Sequence, residues 1–137
     1  MRRFFRYAFL GFTWLFLAAI VVQVYFAGLM LFGQEGGRGL HEGTGYILGT
    51  AGALFLVLPA LARAGGTSIV LGVVLTLITF FQPNLTFARD TSPMIAALHP
   101  VNALLILALS VLLVRRATEL VRQERGTRTA ATASVAR

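Results

Sequence analysis

The chain has 137 residues, of which 57% are hydrophobic and only 12% charged, with twelve basic residues against five acidic and a formal net charge of +7. A soluble domain carries about 25% charged residues, so this composition points to lipid as the solvent, and basic residues clustered at the ends of apolar runs do not form a nucleic-acid-binding face. The absence of cysteine excludes disulfides, thiolate metal sites, iron–sulfur clusters and cysteine nucleophiles.

The first apolar run covers about 7–32 and follows Arg2, Arg3 and Arg6. A signal-peptide core is about 7–15 residues and ends at a small-residue cleavage site. This run is longer and ends in Leu31-Phe32-Gly33, so it reads as an anchor. The segment GQEGGRG (33–39) is a glycine-rich turn. A second run covers about 41–62 and closes at Arg63-Ala64-Gly65-Gly66, and a third covers about 67–82, stopped by Pro83. The fourth opens at Ser92-Pro93, an N-cap followed by proline at the first helical position, and runs over 93–114 to Arg115-Arg116. Each run approaches or exceeds the roughly 17 residues a membrane helix needs. Short connections make sequential helices neighbours. The expected fold is therefore all-α: an integral membrane four-helix bundle of up-down-up-down order over 1–117. A basic tail follows over 118–137, unstructured after about Thr127, with 117–124 able to prolong the fourth helix.

Counting arginines beside the runs orients the bundle. Arg2, Arg3, Arg6, Arg63, Arg115, Arg116, Arg122, Arg125, Arg128 and Arg137 fall on one side, and only Arg38 and Arg89 on the other. By the positive-inside rule both termini are expected in the cytoplasm, in a bacterial inner membrane, with contact to anionic headgroups.

Polar groups at membrane depth are costly and tend to face protein. Gln23, His41, Gln82, His99 and Asn102 all fall in the outer half of this topology. His41, Gly45, Gly49 and Gly52 share one face of helix 2. Such a strip is either a groove admitting the edge of a macrocycle, with the imidazole reaching its metal, or a small-xxx-small surface for close helix packing. The only two histidines, His41 and His99, begin the second and fourth helices from the same side. Facing helices of a bundle are where paired imidazoles hold haem iron, so both are candidate metal ligands. A polar cluster with another role, or one buried and one interfacial histidine, is the alternative. Straight-helix counting, from Arg63 to His41 and from Arg115 to His99, leaves the two at depths differing by about 9 Å, which helix tilt and a bend at Pro100 would have to reduce. Asn102, one turn from His99, and with it Gln23 and Gln82, are candidates for orienting an imidazole or ligand, or equally for hydrogen bonding between helices. Arg38 and Arg89 are candidate partners for haem propionates, or else ordinary loop residues. There is no Walker loop, dinucleotide fingerprint, serine elbow or HExxH.

The segments Gln23-Val24-Tyr25-Phe26-Ala27-Gly28-Leu29, His41-Glu42-Gly43-Thr44-Gly45-Tyr46, Gln82-Pro83 and Ala97-Leu98-His99-Pro100-Val101-Asn102-Ala103-Leu104 resemble the landmarks of a family of small four-helix bacterial membrane proteins of unknown function, over about 10–115. That resemblance implies the fold and no activity. A looser similarity, to haem-binding four-helix units such as half of haem A synthase or the cytochrome b561 bundle, implies a candidate site at His41 and His99. With one histidine pair the chain would hold at most one haem b. The expected function is electron transfer at that haem, not an enzymatic activity. The alternative is a non-catalytic accessory subunit of a respiratory or photosynthetic complex, with a chlorophyll-type pigment or no cofactor, in contact with lipid and with other subunits or copies of itself. A transporter or quinone-binding protein ranks last, since no charge lies at the midplane and no helix pair is interrupted.

Overall fold

The computed structural model describes residues 1–135, and the side chains of residues 1–127. It is all-helical, with no strand among the described residues. Helix α1 is Arg2–Leu31. Helix α2, Gly37–Gly52, passes into a 3-10 turn, Ala53–Leu56, and a short helix α3, Leu58–Leu61. Helix α4 is Gly66–Phe81. A run of single turns follows: α5 (Asn84–Phe87), a 3-10 turn (Ala88–Asp90) and α6 (Pro93–Ala96). Helix α7, Leu98–Val135, completes the chain. Four of the helical stretches, Arg2–Leu31, Gly37–Leu61, Gly66–Asp90 and Pro93–Thr127, are long and apolar enough to cross a membrane.

The boundaries follow local chemistry. Gly33 and Gly36 adopt φ of 72° and 77°, which a side chain would disfavour, and this tight turn lets α2 start at Gly37. His41 is therefore the fifth residue of its helix, not in its first turn. Ser92 caps α6 with its backbone carbonyl, which accepts from the amides of Ile95 and Ala96, and Pro93 opens the helix. Helix α7 does not stop at Arg115-Arg116. Ala117 and Val121 are buried beyond it, and the helix continues to Val135 through the segment expected to be unstructured from Thr127. Residues 136–137 of that tail lie outside the described residues.

The second span is bent where Pro59 enters α3. Proline has no amide hydrogen, so the carbonyl of Phe55 loses its helical donor. That carbonyl faces Gly72 of α4, where a Cβ would lie only 2.5 Å from the Phe55 oxygen. Glycine at 72 is what permits this close approach. One turn further along α4, the Thr76 hydroxyl donates to the Gly52 carbonyl at 2.8 Å, just before the 3-10 turn. Pro83 likewise denies the carbonyl of Thr79 its usual helical donor, and that oxygen, opposite Gly49, accepts instead from the Gln82 backbone amide at 3.3 Å.

Helix α1 packs against α2 and α7, and α4 packs against α2 and α7, so the spans form a closed ring of four neighbouring contacts. The buried core is Phe9, Phe16, Phe55, Leu75, Leu113 and Ala117, continued by Ile20, Leu48 and Ile106. Phe55 anchors it, with ring centroids 4.8 Å from Phe12 and 5.0 Å from Phe16. Large apolar residues such as Val24, Val70, Phe80 and Leu104 cover the outside, as expected where the surroundings are hydrocarbon.

Candidate functional site

The five polar residues singled out in the sequence meet at the end of the bundle opposite the arginine clusters. At the arginine end, the Arg6 guanidinium bonds the Ala62 carbonyl at 3.4 Å and the Glu124 carboxylate at 3.2 Å. At the other end His41 and His99 approach across the bundle, with ring centroids 6.2 Å apart and ring planes at 64°. The 9 Å difference in depth read from the sequence is absent. Part of it came from taking Arg115 as the end of the fourth helix, whereas the residue that reaches the level of Arg6 is Glu124. Counted from there, His99 lies about 38 Å along its helix and His41 about 32 Å from Ala62, an offset of the opposite sign that the 3-10 turn of the second span reduces.

Each histidine is held by the helix preceding it in sequence. His41 Nδ1 lies 3.3 Å from the backbone carbonyl oxygen of Gln23, while Gln23 Nε2 donates to the carbonyl of His41 at 2.7 Å. His99 Nδ1 lies 3.0 Å from the backbone carbonyl oxygen of Gln82, while Gln82 Nε2 donates to the carbonyl of His99 at 2.9 Å. The side-chain oxygens of both glutamines accept further bonds. Thr44 donates its hydroxyl to Gln23 Oε1, and Asn102 donates its amide to Gln82 Oε1 at 2.6 Å and to the Ile78 carbonyl at 2.8 Å. All six residues are half-buried. No protein hydrogen bond reaches Nε2 of either histidine among the described residues.

The glycine strip below His41 is closely packed. A Cβ at Gly45 would meet Gln23 Nε2 at 3.1 Å, at Gly49 the Thr79 oxygen at 3.9 Å, and at Gly52 Thr79 and Phe16 at 3.8–3.9 Å. Gln23 therefore crowds Gly45, while Gly49 and Gly52 stand at ordinary van der Waals distance from Thr79 and Phe16. Arg38 and Arg89 are not drawn into the site. They form solvated ion pairs with Glu42 and Asp90, each at 3.5 Å, their side chains 63% and 62% exposed.

Thr44 is the member of the cluster that the sequence reading missed. It stands three residues after His41, as Asn102 stands three after His99, so aligning the two helical hairpins on their histidines would have found it. Among the described residues no group of three or more histidines and carboxylates is placed to hold a metal, so the imidazole pair is the donor set available. A groove of about 390 Å³, lined by Phe12, Ala19, Val22, Ile47 and Ala51 among others, opens between α1 and α2 and includes neither histidine.

Fold and site together define a bundle of four membrane-length helices with a two-imidazole cluster at one end. Compared with known proteins, the chain matches no family model, no curated protein and no solved structure.

Proposed function

We propose that the protein crosses a bacterial inner membrane four times with both termini in the cytoplasm, and that it holds one b-type haem between His41 and His99 near the outer face, where it takes part in single-electron transfer. The observation that carries this reading is the meeting of the two rings 6.2 Å apart from opposite sides of the bundle. Two imidazole nitrogens, each about 2 Å from one metal, place their ring centres roughly 6 Å apart. The held Nδ1 atoms support it as well. Ligand histidines generally donate their second ring nitrogen to a carbonyl or carboxylate, which fixes the tautomer and leaves the other nitrogen for the metal. The orientation rests on the arginine count, ten against two.

When bound, haem supplies a one-electron couple. His41 and His99 hold it, and Gln23 and Gln82 orient them. Asn102 and Thr44 keep the glutamine side chains in place. With Thr79 against Gly49 and Gly52, the strip serves helix packing in this reading, and Arg38 and Arg89 stay outside the site.

The test is an absorption spectrum of protein purified from haem-replete cells. A Soret band that responds to dithionite, and is lost in both His41→Ala and His99→Ala, is the expected result. A colourless wild-type protein overturns the proposal. The groove between α1 and α2 favours a second reading, a non-catalytic subunit docked to another membrane protein. Native mass spectrometry from mild detergent separates the two, since a stable solitary species rules the subunit reading out.

A further inference from the structure

The two halves of the site are built alike. In each hairpin a glutamine on the first helix meets a histidine on the second, 18 residues on in one case and 17 in the other. In each the imidazole Nδ1 and the backbone carbonyl of the glutamine form one bond, and the glutamine amide and the backbone carbonyl of the histidine form the other. The third partner stands three residues past the histidine, Thr44 in one hairpin and Asn102 in the other. A carbonyl oxygen has no proton to give, so a ring nitrogen bonded to it carries the proton itself. In a neutral imidazole the other nitrogen then has a lone pair. The geometry thus bears on the protonation of both rings without reference to any bound group.

We infer that Gln23 and Gln82 are paired positioning residues, two copies of one clasp that keep the proton of His41 and of His99 on Nδ1, so that each ring, when neutral, has the Nδ1–H tautomer and offers Nε2 as the ligand nitrogen. The class of ligand this suits is a metal centre that accepts one neutral imidazole on each of two opposite faces. That choice of ligand rests on the proposed function; the tautomer assignment stands apart from it.

The experiment is long-range 1H–15N correlation on the full chain, labelled with 15N-histidine, expressed under haem depletion and reconstituted in lipid nanodiscs above pH 8. Wild type is expected to show both rings protonated at Nδ1 and unprotonated at Nε2. Gln23→Met and Gln82→Met keep the length of the side chain and remove its amide. Each leaves the backbone carbonyl that accepts from Nδ1 but removes the amide bond that holds the two helices in register. By loosening that register it is expected to shift the tautomer ratio of its own histidine roughly threefold toward Nε2–H, leaving the other histidine unchanged. Wild-type rings found mainly as Nε2–H overturn the inference even if the variants fail to fold. So do folded variants whose tautomer ratios match wild type. Because the sample contains no haem, a wild-type protein that never acquires a Soret band removes the haem reading and leaves this result standing.

Discussion

The two ends of the bundle are held together by different means. Toward the arginine end the interior is apolar and dense: Phe9, Phe55, Leu75, Leu113 and Ala117 are essentially inaccessible, and Gly72 lets α4 come up against the backbone of the second span. Toward the histidine end the most buried apolar residues are Ile20, Leu48 and Ile106 at 5–9% exposure, and beyond them the helices are joined by the amide clasps. The difference separates stability from chemistry. Packing is strongest away from the two imidazoles, which sit where the interior is half open, while the arginine end carries the Arg6–Glu124 pair at its margin. Proteins commonly depart from uniform packing at the site where they work.

Four experiments test that division, from the largest expected effect to the smallest. Phe55→Ala removes the centre of the aromatic cluster and should cost about 3–5 kcal/mol, measured by denaturant unfolding in mixed micelles; a cost under about 1 kcal/mol would remove the claim that the arginine half carries the stability. Gly72→Ala sets a methyl group against a backbone oxygen that cannot swing aside, with an expected penalty of about 1–3 kcal/mol, whereas the same change at Gly11, which has nothing within 4 Å, should be close to neutral. At the histidine end, Gln82→Met should cost about 1 kcal/mol, the scale of a hydrogen bond between membrane helices. If it costs as much as Phe55→Ala, the clasps are structural pillars and the two ends are not distinct in kind. The Arg6–Glu124 pair, its side chains 13% and 15% exposed, should show a coupling of roughly 0.5–1 kcal/mol in a double-mutant cycle, falling with added salt.

Much of this was legible in the sequence, because hydrocarbon imposes simple rules. Four long apolar runs have few alternatives to four membrane-length helices, and Gln23, His41, Gln82, His99 and Asn102 stood out because lipid should have excluded them. What stayed hidden depends on register and on helix ends. Arg115-Arg116 looked like a terminus, yet arginine side chains are long enough to lie along a helix that continues, and counting from there placed His99 too shallow. The glycine strip allowed two readings from sequence, and only at Gly45 would a methyl group be crowded. Thr44 was invisible because a threonine in a helix usually bonds its own preceding turn, as it also does here through the Leu40 carbonyl. The clasps could not be read at all, since each joins residues on two helices through backbone oxygens.

The turn between the second and third spans has a consequence for how the molecule could be assembled. Residues 2–61 carry Gln23, His41 and Thr44, residues 66–127 carry Gln82, His99 and Asn102, and only Ala62 to Gly65 joins the two sets, at the same end as Arg6 and Glu124. The chain can therefore be opened at that turn, or its old ends linked and new ones made there, without cutting either clasp. Two separately expressed hairpins should find each other in the bilayer and rebuild the cluster as a circular permutant would, each bringing one imidazole.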